Sequence, residues 1–413
     1  MTKEEVLELV LSEQYYTVKD LRYNQQVGQM MSSKQVNDFL MLKDHLVEEG
    51  AEHFYRLPLK TFNSKYCYFV EGKYLESIQK EYISILQEDY QMNQSTLVAR
   101  NARDIVISRL YSEIEGTLRI ENVPTTRKRI KEIHEGVNIV DRNDIIIQNM
   151  IKAMEYILNE LPEFNKDNLL KIYHMLSDQC LDEEDKLKDG MYYRDDGVVV
   201  GGFDGAEAGA IDECMDSLFE FANNKDNIKK YDFLLPYICH YYLLYIHPYF
   251  DYNGRTARMI SFWLCCINKI NYAPYYLSEA INEDKQAYYN AIVQSRITNN
   301  DLTYFLGYIL DTAIKYSFVY KNVENIKNDL IKAGESLTAA EYTYLKKVIA
   351  HNPSDYFNYR MFLEYISAGM TKQGALKILN QLAKYEILEK SKNKKNETIY
   401  RLNQKMITYR YNK

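Results

Sequence analysis

Proline and glycine are scarce in this 413-residue chain, 7 and 16 in all, and tryptophan occurs once. With both helix breakers rare, periodic stretches can run long, which predicts a mostly helical protein. No stretch approaches the roughly 20 uninterrupted apolar residues of a membrane span, so no membrane role is expected. The opening MTKEEVLELVLSEQ has neither a basic stretch nor a cleavage pattern. It does not read as a signal peptide, and a cytoplasmic location is expected. Cys67, Cys180, Cys214, Cys239, Cys265 and Cys266 form no CxxC pair and read as reduced core residues. The seven histidines make no HExxH pattern, which argues against a zinc site.

Hydrophobic residues make up 46% of the chain and charged residues 26%, ordinary values for a globular protein; tyrosine is abundant, at 39. The length suggests about three domains. The net charge of −7 is unevenly spread: residues 336–413 carry +8, leaving −15 on the 335 residues before them. This is the pattern of an acidic body with a basic appendage. Residues 1–95 mix amphipathic helical stretches with strand-like runs and point to no chemistry. From 96 to 325 apolar residues recur at helical spacing, for example in DIIIQNMIKAMEYILNEL and RTARMISFWLCCINK. The exception is YYRDDGVVVGG at 192–202, where a DG turn beside Val198, Val199 and Val200 predicts a short hairpin. In 336–413 the order is three helices and a two-stranded ribbon, that of a winged helix. Leu376, Leu379 and Leu382 are expected to face inward on its third helix, with Lys372, Gln373 and Lys377 outward.

Chemistry concentrates in HPYFDYNGRTAR, residues 247–258, directly after the apolar YICHYYLLYI. His247 closes the predicted helix and is the natural general base at neutral pH. Asp251 is a hard oxygen ligand suited to Mg2+, which takes one or two carboxylates plus phosphates. Asn253 and Gly254 predict a tight turn whose amides form an anion nest at the next helix start. Arg255 and Arg258 oppose that helix's dipole, so structure alone would not choose them. Their forked donors suit a polyphosphate.

This stretch closely resembles the Fic signature HPFx[DE]GNGRxxR, matching at His247, Pro248, Asp251, Asn253, Gly254, Arg255 and Arg258. Tyr249 replaces the usual Phe. Tyr252 replaces the usual first Gly, and is expected either to alter the nest or to lie at an ordinary φ, since a positive φ is costly for tyrosine. The resemblance covers about 96–325. It implies a mainly α fold: a Fic-type helical bundle with a short β-hairpin flap, joined here to a C-terminal winged-helix-like domain. It further implies transfer of AMP from ATP to a Tyr, Thr or Ser hydroxyl of a target protein, or of the protein itself. By that resemblance His247 is the base and Asp251 holds Mg2+. Asn253, Gly254, Arg255 and Arg258 bind phosphates, Tyr289 lines the adenine pocket, and Val198, Val199 and Val200 dock the target by strand addition. Gly254, where a kinase-like branch of the family has Lys, favours AMP transfer over phosphate transfer.

YSEIEG at 111–116 resembles the family's inhibitory pattern [ST]xxxE[GN] at Glu115 and Gly116, which implies that Glu115 pairs with Arg258 and blocks productive ATP binding. The alternative is a helix that simply ends at Gly116. Other readings stay open: removal of AMP by water, transfer of UMP or phosphocholine, or a nucleotide-sensing DNA-binding regulator. For 336–413, binding to DNA, to protein, or to a second copy as a homodimer all fit the basic surface.

Overall fold

Helices dominate, as the rarity of proline and glycine predicts. The structure is a computed structural model, and it describes residues 1–23, 31–62, 64–97, 102–269, 277–351, 356–366 and 370–408. Three helices open the chain: α1 (Lys3–Val10), α2 (Val18–Tyr23) and α3 (Ser33–Glu48). Capping boxes at Thr2/Glu5 and Ser32/Gln35 start the first and third, satisfying two orphan amides each. The hairpin of β1 (Phe54–Lys60) and β2 (Tyr66–Val70) comes next, and then α4 (Lys73–Leu97), α5 (Ala102–Ile120), α6 (Arg127–His134), α7 (Arg142–Glu160) and α8 (Lys166–Ser177). After these stand the two-residue strands β3 (Val199–Val200) and β4 (Phe203–Asp204), then α9 (Ile211–Asn223), α10 (Lys225–Tyr231), α11 (Leu235–Ile246), α12 (Asn253–Ile267), α13 (Leu277–Glu283), α14 (Lys285–Ile297) and α15 (Thr303–Lys332). The chain divides into two compact units, Met1–Thr312 and Ala313–Lys413.

In the first unit α11 is the central element. Its sequence LPYICHYYLLYI is apolar on every side, and every residue but Leu244 is buried. A helix of that kind belongs inside a core, and it packs against α9 and α12. α12 is buried over most of its length as well. Trp263 donates its indole N–H to the Pro162 carbonyl at 2.8 Å and meets Phe164 edge-on. Among the described residues no helix is long and apolar enough to cross a membrane. Cys67, Cys180, Cys239 and Cys265 are buried free thiols.

The hairpin of residues 54–70 belongs to the same compact unit as the helices around the motif. The β2 backbone pairs with the segment before α15, Tyr68 N–H to the Asn300 carbonyl at 3.2 Å and Leu302 N–H to the Tyr68 carbonyl at 2.7 Å. The β1–β2 turn lies against the end of α11. There the Phe62 ring stacks on Tyr245 with centroids 4.1 Å apart, and its N–H donates to the Tyr245 hydroxyl at 2.8 Å.

The second unit holds α16 (Ala339–His351), α17 (Tyr359–Tyr365), α18 (Lys372–Lys384) and the ribbon β5 (Leu388–Lys392)–β6 (Thr398–Leu402), paired from Leu388↔Leu402 to Lys392↔Thr398. Phe357 bridges to Tyr400 on the ribbon. α15 continues through Lys332, because Val319, Val323, Ile326 and Leu330 fall on one face and enter this unit's core. On α18, Leu379 and Leu382 are buried as expected. Ala375 and Ile378 complete the inward face, and Leu376 is only half-buried.

Candidate active site

His247 is the residue at which α11 stops. It takes a left-handed conformation (φ 55°, ψ 63°), and its N–H still closes the helix onto the Leu243 carbonyl at 2.8 Å. This cap turns the chain back and leaves the imidazole at the edge of a cavity of about 350 Å3, which His247, Asp251, Asn253, Gly254, Arg258 and Tyr289 all line. That volume lies in the range of small-ligand pockets. Burial lowers the imidazole's proton affinity to a pKa of about 4. The Leu244 backbone opposes this, and the Arg194 and Arg296 guanidiniums add to it. The ring is therefore neutral at pH 7 and able to accept a proton.

The loop from Tyr249 to Asn253 is braced by one side chain. Asn253 donates to the Tyr249 carbonyl at 2.8 Å and accepts the Tyr249 N–H at 3.0 Å. Its carboxamide is thus committed to the loop, and what it offers the cavity is its backbone. Asp251 accepts the Tyr252 N–H at 2.6 Å through one oxygen, and its side chain is half-exposed. A hard, accessible carboxylate on the wall of the cavity fits a Mg2+ ion that would keep water and substrate oxygens as its other ligands. Tyr252 corrects one expectation: it does not avoid the position's usual geometry, but adopts φ 67° at the start of α12. The ring is 3% exposed, and the Arg255 guanidinium lies 3.2 Å from its centroid. That contact sets where the Arg255 side chain lies. Its guanidinium covers Tyr252 and approaches Asp251 at 3.6 Å, while the neighbours Asn253, Gly254 and Arg258 line the cavity.

The expected Glu115–Arg258 pair does not form. Glu115 lies one and a half turns before the end of α5 and pairs with Arg119 at 2.5 Å and Arg127 at 3.2 Å. α5 does not end at Gly116 either. It runs on to Ile120, and Gly116 is where the backbone of α13 crosses too closely for any Cβ. The partner of Arg258 is Glu121, whose carboxylate accepts from Nη2, and Thr117, whose hydroxyl accepts from Nε at 2.7 Å. Burial alone would raise the Glu121 carboxyl; the Arg258 guanidinium, with Arg255 and Lys285 adding to it, holds the group below the usual range. Sequence reasoning missed Glu121 although the signal was there: Thr117-Leu-Arg-Ile-Glu121-Asn122 meets [ST]xxxE[GN] at all three defined places. The two glutamates are six positions apart, so they sit on different sides of the chain.

Several contacts hold this segment in place. Lys285 caps the C-terminal end of α5, donating to the Arg119 carbonyl, to Ile120 at 3.3 Å and to the Asn122 side chain at 3.0 Å. A cation there suits the helix dipole. The buried Glu113 carboxylate accepts the Ser278 N–H at 2.9 Å and its hydroxyl, and burial pushes its pKa up to about 7. Gly254 leaves room for the pair: a Cβ there would lie 2.8 Å from the Glu121 carboxylate and 3.3 Å from Arg258, and those side-chain ends would have to shift.

The predicted hairpin is present, with Val199 opposite Asp204 and Val200 opposite Phe203. Val199 is 71% and Val200 41% exposed, and Val200 borders the cavity; Val198 accepts the Gly205 N–H at the base of the hairpin at 3.0 Å. Arg296 was not anticipated. It donates to the Tyr245 carbonyl at 3.1 Å and to the Asp204 carbonyl at 2.7 Å, joining β4 to the end of α11 beside the cavity. Tyr289 is 43% exposed at the cavity wall. Its neighbour Tyr288 is buried and shares a hydrogen bond of 2.7 Å with His240.

The sequence pattern of the Fic/DOC family matches residues 163–265. The chain is similar to Protein adenylyltransferase Fic of Drosophila ananassae, 24% identical over 220 residues that cover 51% of this chain and 41% of the relative. A protein of the same name from Aedes aegypti is 26% identical over 178 residues, 43% of this chain and 34% of the relative. The chain therefore spans less than half the length of these curated relatives. Among solved structures, a Fic family protein from Desulfovibrio desulfuricans G20 aligns over 80% of this chain and 95% of its own, with 17% identity and a TM-score of 0.48.

Proposed function

We propose, from the match of residues 163–265 to the Fic/DOC family, that the protein transfers the adenylyl group of ATP to a hydroxyl side chain of a target protein, releasing pyrophosphate. The observation that carries this reading is the convergence of His247, Asp251, Asn253, Gly254 and Arg258 on one cavity bordered by an exposed strand edge. His247, neutral at pH 7, takes the proton as the target oxygen attacks the α-phosphorus. The bond from that phosphorus to the β-phosphate oxygen breaks as the new one forms. The first amides of α12, at Asn253, Gly254 and Arg255, lack intrahelical acceptors and face the phosphates. Arg255 thus acts through its backbone, while Arg258 supplies a guanidinium once it leaves Glu121. Mg2+ held by Asp251 would neutralise charge on the phosphates and leaving group. Val199 and Val200 receive an extended target segment by strand pairing, and Tyr289 offers its ring to the adenine.

Glu121, not Glu115, takes the gating role, because a carboxylate on Arg258 competes with phosphate for the same donors. The second unit, with its exposed Lys392, Lys394 and Lys395, serves as a DNA-binding appendage.

Incubation with Mg2+ and ATP labelled at the α-phosphate tests the reaction class. Wild type is expected to yield a labelled protein target or a labelled chain, and His247→Ala to lose the label while still binding ATP. Label arriving instead from the γ-phosphate would make the protein a phosphotransferase and overturn the reading.

A further inference from the structure

Resting on that transfer reaction, we infer that Arg194 is a positioning residue for it: one buried guanidinium ties the backbone of His247 to both stems of the flap. Arg194 stands in YYRDDG, just before the hairpin, and is 1% exposed. A buried guanidinium is costly unless its donors are satisfied. Here the acceptors are backbone carbonyls from three places. Nε donates to His247 at 2.8 Å, Nη2 to Ala206 at 2.5 Å and to Ile246 at 3.5 Å, and Nη1 to Asp196. Asp196 lies on the rising stem of the flap and Ala206 on the descending one; Ile246 and His247 end α11. Backbone bonds run alongside, from Arg194 N–H to Pro248 at 3.0 Å and from Ala206 N–H to Ile246 at 2.9 Å.

The need for such a clamp comes from two features of the site. His247 sits in the left-handed region, which is unfavourable for a non-glycine residue and persists only where surroundings impose it. The Nε bond holds the peptide plane after this residue, and so fixes where the imidazole points. The flap, for its part, is two residues per strand, too short to set its own position. Because histidine and flap share one guanidinium, the base and the strand edge that presents the hydroxyl keep a set spacing. A displacement of 1 Å at a reacting centre can cost about 100-fold in rate. Lysine cannot replace the planar fork, since its ammonium is a point charge that cannot reach carbonyls in three directions in one plane.

The charge has a second consequence. The charged groups acting on His247 are Arg194 and Arg296, which disfavour the imidazolium, and Asp251, which favours it, all within the effect of burial. Loss of the Arg194 charge moves the imidazole's titration upward, which a residue serving only stability would not do.

The experiment uses the full chain carrying Glu121→Ala, so that the gate does not limit the rate, and measures AMP incorporation from α-labelled ATP, ATP affinity and the pH profile. Arg194→Lys is expected to lower kcat at least tenfold with ATP affinity within threefold of the parent, because Arg194 does not line the cavity. Arg194→Gln is expected to do the same and to shift the acid limb upward, while Arg194→Lys leaves the limb in place. Gly205→Ala is a third variant that keeps the guanidinium. Its Cβ would meet Arg194 Nη2 at 2.9 Å, Val198 Cγ2 at 2.8 Å and His247 Cβ at 3.4 Å, and it is expected to lower kcat without weakening ATP. It decides the matter where the Arg194 variants do not fold. A folded Arg194→Lys with kcat within twofold of the parent, or a Gly205→Ala with unchanged kcat, overturns the inference. So does a loss of ATP affinity in parallel with kcat. A parent that transfers no AMP at all refutes the reaction itself and takes this inference with it.

Discussion

His247 shows how one backbone angle and one burial set a chemical role. Its pKa of about 4 lies below the ordinary 6.5, with burial the main cause. A group depressed in this way is deprotonated down to acid pH. The acid limb of kcat/KM, which reports the free enzyme, is therefore expected near pH 4 rather than 6.5. Bound phosphates favour the imidazolium, so the limb in kcat should lie higher. A pH profile with its kcat/KM limb at the ordinary histidine value would show the imidazole solvated in the free protein. Tyr252 poses a different balance. Its positive φ costs about 1 kcal/mol, whereas burying the ring and stacking Arg255 on it returns about 2–4 kcal/mol. Tyr252→Gly, although it restores the residue usual in the motif, is expected to lower stability by about 1–3 kcal/mol in denaturant unfolding. A Gly variant as stable as wild type would mean that the stacked ring contributes nothing net.

At the scale of elements, the proposed gate would be formed by the last turn of α5 and by Glu121 directly after it. Glu115 belongs to the joint between α5 and α6 through Arg127, and Glu121 belongs to the cavity through Arg258. The Arg258 side chain is 2% exposed and that of Glu121 28%. A hydrogen-bonded charge pair in such surroundings contributes about 1–3 kcal/mol, and each 1.4 kcal/mol is about a factor of ten. Glu121→Ala should therefore raise the initial rate of AMP transfer by roughly ten- to a hundredfold at ATP below saturation, and Glu115→Ala should leave it within about twofold. Arg258→Ala should lower activity and cancel the benefit of Glu121→Ala, because both act on one contact. Rates that rise for Glu115→Ala and not for Glu121→Ala would reverse the assignment.

On the scale of the whole molecule, charge separates the two ends of the chain. The basic residues of the last 78 positions include Lys392, Lys394 and Lys395 around the β5–β6 turn, all three exposed; Glu389 is paired with Arg401 at 2.6 Å. If this ribbon meets duplex DNA, full-length protein should bind with an affinity that falls steeply as salt rises. Replacing the three lysines by alanine should weaken binding to all sequences alike and reduce the slope of log K against log salt by about 2–3. Absence of binding at low salt by the folded protein would leave a protein partner for this surface.

The amino-acid sequence by itself determined the helical character, the hairpin within it and the position of the reactive stretch. Those depend on local patterns: few helix breakers, apolar periodicity, a DG turn, and a motif whose twelve residues are contiguous. Contiguity is also why His247, Asp251, Asn253, Gly254 and Arg258 could be named together. Tertiary structure alone decided which carboxylate meets Arg258, since α5 lies more than 130 positions earlier and two glutamates there fit similar patterns. Packing chose Glu121, because the close crossing of α13 at Gly116 turns Glu115 toward Arg127. It also decided that Arg255 stacks on Tyr252, that Phe62 from the β1–β2 turn reaches the end of α11, and that Arg194 joins histidine to flap. Apart from the Arg255 stack, each of these is a contact between distant segments. Its energy is set by the burial and distance that folding creates, and no local pattern encodes it.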